Sequence, residues 1–133
     1  MGVLIDSTVL IAHERGRLDL PEKIAQHEDE EFFISVITAS EILHGVHRAQ
    51  DSRSRTQRSA LVEAVLERFP ILQVDLATAR IHSRVWADLA SAGILIGPHD
   101  LWIAATAIAH GLTLVTANLR EFKRVTGLNV EKW

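Results

Sequence analysis

The chain has 133 residues, 47% of them hydrophobic, enough to fill one core and fold as a single domain over 1–133. Its formal net charge of -3 excludes a protein that coats nucleic acid through a broad basic surface, leaving room only for local basic patches. With no cysteine there is no disulfide framework, thiolate metal site or cysteine nucleophile, and no apolar stretch approaches the roughly 18 residues of a membrane span.

Val3-Leu4-Ile5 reads as a buried strand that runs into Asp6, with a helix beginning at Ser7 or Thr8, both good caps. Pro21 is placed like an N1 proline opening a second helix through 27. FFISV, 32–36, follows as a short buried strand. Thr38-Ala39-Ser40-Glu41 fits the S/T-x-x-E capping box, which predicts a helix starting there with Ile42, Leu43 and Val46 on its apolar face. Residues 47–58, HRAQDSRSRTQR, read as the exposed tip of a helical hairpin over about 38–69, a protruding clip whose second arm, from Ser59, buries Val62, Val65, Leu66 and Phe69.

PILQVD predicts a third strand and 76–92 a helix stopped by Gly93, before Gly97-Pro98 breaks the chain. Asp100 opens a helix that is apolar on nearly every side, LWIAATAIAH, the pattern of a helix in the centre of a domain. Gly111 ends it, 112–116 is a fourth strand and 128–130 a fifth. Strands that alternate with helices, and are apolar without a two-residue alternation, predict an α/β fold with a parallel sheet covered on both faces. Ligands of such sheets bind outside the carboxyl ends of the strands. The amino-terminal stretch has no basic n-region and its apolar run is broken by Asp6, so the expectation is a soluble cytoplasmic protein with no membrane partner.

That sheet edge collects acids. Asp6 ends the first strand, Glu41 falls in the first turn of the predicted capping-box helix, Asp100 opens the central helix, and Asn118 and Glu121 follow the fourth strand in TANLREF. Two carboxylates about 5 Å apart repel by roughly 3 kcal/mol at an effective dielectric of about 20, so three gathered together require a cation. An oxygen-only donor set points to Mg²⁺ or Mn²⁺. Each residue also has a local explanation: Asp6 as a cap of the first helix, Glu41 as a member of its capping box, Asp100 as a complement to a helix N-terminus, Asn118 as a turn residue. What joins them is their coincident placement at one edge.

Four stretches, LIDSTVLIA at 4–12, ITASEILHGV at 37–46, IGPHDLWIAATAIAHGLTLVTANLREFKRV at 96–125 and GLNVEKW at 127–133, resemble the PIN-domain family, most closely the VapC-type toxins of VapBC toxin–antitoxin pairs. The resemblance implies a three-layer α/β/α domain with a central parallel sheet of about five strands. It also implies a metal-dependent endoribonuclease whose catalytic positions are Asp6, Glu41, Asp100 and Asn118, with Asp6 and Asp100 holding Mg²⁺ or Mn²⁺. Asn118 stands where the family often has Asp; an amide adds no negative charge, which puts a tightly held second metal in question. Glu121 either compensates or is a solvated surface residue.

Ser7 and Thr8 keep hydroxyls where the family places polar side chains near the site. Arg48 and Arg120 are candidate RNA contacts, with Arg53, Arg55, Arg58, Lys123 and Arg124 beside them, although the same residues read equally as solvated helix faces. The resemblance further implies a homodimer and a cognate antitoxin whose tail covers the acidic groove. Two other readings stay open at this point: a PIN nuclease of RNA maturation without an antitoxin, and a non-catalytic receiver-like module with Asp6 as phosphoryl acceptor. The second wants a lysine after a late strand, where Thr116-Ala117-Asn118 stands. Glu41-x-x-His44 has the spacing of half a di-iron site but lacks a second such motif, and there is no Gly-rich phosphate loop.

Overall fold

The continuous apolar run at the start of the chain is strand β1, Gly2–Ile5. Successive side chains of a strand point to opposite faces, so Val3 and Ile5 enter one core cluster, Leu4 enters another, and all three are buried. The computed structural model describes residues 2–133. Around β1 it assembles β2 (Glu31–Ser35), β3 (Ile71–Leu72), β4 (Thr113–Thr116) and β5 (Asn129–Lys132) in the order β3-β2-β1-β4-β5, every neighbouring pair parallel.

One face is covered by α1 (Ser7–Glu14), α2 (Leu20–Ala25), α3 (Val36–His47) and α4 (Ser52–Arg68), which send Val9, Leu10, Leu20, Ile42 and Val62 into the cluster shared with Val3 and Ile5. The other is covered by α5 (Leu76–Ser91), α6 (Pro98–Ala109) and α7 (Leu119–Phe122), through Val85, Leu89, Ile103 and Phe122 around Leu4 and Leu114. The result is the three-layer α/β/α arrangement. As its all-round apolar pattern predicts, α6 buries Leu101, Ile103, Ala104, Ala105 and Ala107. Among the described residues no helix is long and apolar enough to cross a membrane.

Gly93 and Gly111 stop α5 and α6 as expected, for a specific reason. Both have φ near +70° (70° and 65°), and each allows the next N–H to turn back onto the helix, Ile94 to Leu89 O and Leu112 to Ala107 O, both at 2.9 Å. Other boundaries differ from the sequence reading. The capping box is not used: Ser35 caps α3, its Oγ accepting from Thr38 N at 3.0 Å, so the cap lies three residues before the predicted one and Glu41 lies beyond the first turn of the helix. Helix α4 begins at Ser52, not Ser59, because Asp51 accepts from Ser54 N at 2.7 Å, and most of the expected polar tip is therefore helical. Only two residues of PILQVD pair as a strand.

Candidate active site

From the central β1 the chain adds β2 and β3 on one side and β4 and β5 on the other, so the crevice of this sheet opens between the carboxyl ends of β1 and β4. Asp6 is the first residue after β1, and its N–H donates to Val115 O in β4 at 2.9 Å. It stands at the N-cap position of α1, yet its side chain makes no capping hydrogen bond. Instead Oδ2 accepts from Thr8 Oγ1 at 2.7 Å and from Thr116 Oγ1 at 2.8 Å. Oδ1 is buried and has no hydrogen-bond partner among the described residues. Asp6 is only 1% exposed, so a carboxylate oxygen without a donor is costly there.

Glu41 and Asp100 face the same crevice. Ser7 Oγ donates to Glu41 Oε1 at 3.0 Å, and His99 Nδ1 lies 3.6 Å from Glu41 Oε2. Burial pushes the Glu41 carboxyl above its ordinary range and the charge of Asp6 adds to this, against the Ser7 hydrogen bond, which lowers it. Asp100 is pushed further, to about 6, by burial first and then by the negative charges of Asp6, Glu41 and Glu121, partly offset by His99. Asp100 sits in the first turn of α6, where the helix dipole favours an anion, yet the proton is held more tightly than usual. Capping therefore accounts for none of the three acids: Asp6 does not cap, Glu41 lies outside any box, and burial beside like charges outweighs the dipole at Asp100.

Asn118 takes the N-cap position of α7 without a side-chain capping bond, and its backbone N–H donates to Thr116 Oγ1 at 2.9 Å. Arg48 and Arg120 are exposed. Three neighbouring arginines are already engaged: Arg58 bonds Glu14 and Gly45 O, Arg55 bonds Ala49 O, and Arg124 pairs with Glu121. Thr116, fully buried, is the site residue that sequence reasoning missed. Its only signal was a hydroxyl at the last position of the strand LTLVT, directly after the apolar pair Leu114-Val115.

No three His, Asp or Glu side chains among the described residues form a ready-made metal cage. The donor set nonetheless fits a hard cation of the Mg²⁺ class, which keeps several waters and is held through one or two carboxylates. An orphaned oxygen on Asp6 and two carboxyls with raised proton affinity are what such a cation would relieve.

A PIN-domain family model matches residues 3–128. The chain belongs to the PIN-domain family. Within that family it is 39% identical over 130 residues to Ribonuclease VapC1 of Rickettsia felis, covering 98% of this chain and 95% of the relative. It is 38% identical over 100 residues to the tRNA(fMet)-specific endonuclease VapC of Salmonella typhimurium, covering 75% and 74%. The structure of DNA-bound VapBC from Salmonella typhimurium superposes with a TM-score of 0.90 at 29% identity, over 100% of this PIN domain and 98% of that chain.

Proposed function

We propose that this PIN domain, a single unit over 1–133 with the α3–α4 hairpin as its clip, is the toxin of a type II toxin–antitoxin pair: a cytoplasmic Mg²⁺- or Mn²⁺-dependent endoribonuclease. The observation that carries the reading is Asp6, a buried carboxylate with one oxygen saturated by hydroxyls and the other bare, set beside two proton-hungry acids. A bound divalent cation would supply phosphate polarisation and a water of lowered pKa.

Asp6 and Asp100 are the residues to hold that cation. Glu41, steadied by Ser7, orients the attacking water and takes its proton, for which its raised pKa suits it. Asn118 holds a water or ligand through its amide, and the exposed Arg48 and Arg120 contact backbone phosphates. The water oxygen bonds to phosphorus as the P–O3′ bond breaks, and the departing O3′ takes a proton from solvent water, leaving a 5′-phosphate and a 3′-hydroxyl; the 2′-hydroxyl takes no part.

The solved VapBC relative supports a protein partner and the resemblance supports a homodimer. A groove of about 730 Å³ between α1, α2, α3 and α4, lined by Leu20, Ile24, Ile42, Val62, Val65 and Phe69, suits an apolar antitoxin segment, and Glu41 at its margin suits a basic residue of the tail. Incubating the purified chain with total RNA, with Mg²⁺ and with chelator, and mapping the ends tests the activity. Metal-dependent cuts bearing 5′-phosphates are expected. Cleavage that survives chelation, or that leaves cyclic phosphates, would overturn it.

A further inference from the structure

Thr8 and Thr116 form an ordered pair over one oxygen of Asp6. A hydroxyl has one proton to give and two lone pairs to receive. Thr8 Oγ1 accepts from Ala117 N at 3.0 Å, and Thr116 Oγ1 accepts from Asn118 N at 2.9 Å. One backbone donor thus occupies a lone pair of each hydroxyl, and the hydroxyl's proton points away from that donor. The two hydroxyls are 3.2 Å apart, but Asp6 Oδ2 is nearer to both, at 2.7 and 2.8 Å. A charged acceptor at the shorter distance wins both protons. Thr116 has no exposed surface, so no bulk water competes for it.

The consequence is an asymmetric carboxylate. Oδ2 carries two donors, while Oδ1 is buried with none among the described residues. Ca²⁺ takes six to eight oxygens and commonly grips a carboxylate through both of them, whereas Mg²⁺ demands near-octahedral geometry with fewer protein ligands. A carboxylate whose second oxygen is already saturated is a poor two-oxygen ligand.

We propose that Thr8 and Thr116 are positioning residues that reserve Asp6 Oδ2, so that Asp6 offers a cation Oδ1 alone and the site prefers Mg²⁺ or Mn²⁺ to Ca²⁺. This rests on the metal-dependent reading above and adds to it a determinant of which metal is taken.

The test is Mn²⁺ binding to the full chain by electron paramagnetic resonance, with Ca²⁺ as competitor, for the wild type and for Thr116→Val, Thr116→Ser and Thr8→Val, with metal-free melting measured alongside. Removing a partner of a metal ligand weakens binding by roughly 10–100-fold. Thr116→Val and Thr8→Val are expected to lose Mn²⁺ affinity on that scale and Ca²⁺ affinity by less, so that the Mn²⁺-to-Ca²⁺ preference falls; Thr116→Ser, which keeps the hydroxyl, restores it. Folded valine variants that melt lower yet keep the wild-type preference would show a merely structural role and overturn the proposal. If Thr116→Val does not fold, Thr8→Val at its less buried position decides alone. A wild type that binds no Mn²⁺ overturns the metal reading itself, whereas a wild type that binds it with unchanged variants overturns only the role of the threonines.

Discussion

Ser7 Oγ reaches Glu41 Oε1 at 3.0 Å across 34 residues of sequence, joining the first turn of α1 to the middle of α3 at the mouth of the crevice. The hydrogen bond favours the ionised carboxylate against the burial that disfavours it. Ser7→Ala should therefore raise the Glu41 pKa further. The acid limb of the cleavage-rate profile is expected to move to higher pH, with activity falling more at acid than at alkaline pH. A uniform drop with an unmoved limb would separate Ser7 from the ionisation of Glu41.

Asp100 makes stability depend on pH in the opposite sense from an ion-paired acid. Its folded pKa of about 6 lies above the unfolded value of about 3.9, so the fold gains from the protonated form. That contribution is complete below the unfolded pKa and is lost as pH rises through about 6. Metal-free protein should thus melt progressively lower from about pH 4 to about pH 6, modestly because the residue is half-exposed. Asp100→Asn should flatten that slope and melt higher than wild type at neutral pH without metal.

Asp6→Asn can keep an oxygen under Thr8 and Thr116 and place its amide where Oδ1 stood. The variant should fold with a near-native melting temperature. Cleavage should fall by at least roughly 10²-fold, the scale of losing one preorganised electrostatic group at a reacting centre. Rates measured with equal enzyme and Mg²⁺ would check this.

The arginines divide by whether they are already bonded. Arg58 ties α4 to Glu14 and to Gly45 O, so Arg58→Ala should cost about 1 kcal/mol in denaturant unfolding and leave the salt dependence of RNA binding unchanged. Arg48→Ala and Arg120→Ala should spare stability, and each should lower the salt slope by about one unit.

Ile103 is fully buried on the central helix between α5 and the sheet. Ile103→Ala should cost about 2–5 kcal/mol, read by urea unfolding. A smaller loss would mean that α6 can shift to close the cavity, and cleavage would then fall with it because Asp100 rides on the same helix.

The amino-acid sequence by itself determined the alternation of strand and helix, the parallel sheet, the glycine stops at 93 and 111, the buried character of α6 and the placement of acids at strand ends, because these rest on patterns that are local in the chain: apolar periodicity, left-handed turns, punctuation by Gly and Pro. Helix α3 shows where local reading stops. Thr38-Ala39-Ser40-Glu41 has the local pattern of a capping box, yet Ser35, read from the sequence as part of a strand, is the cap, and its pairing with Leu72 of β3 marks where β2 ends. Only the tertiary structure decided that Asp6 is not a cap and that Thr116, 110 residues away, holds one of its oxygens. Those facts follow from β4 lying beside β1, and the hydrogen bonds that pair distant strands leave no periodic mark on either segment.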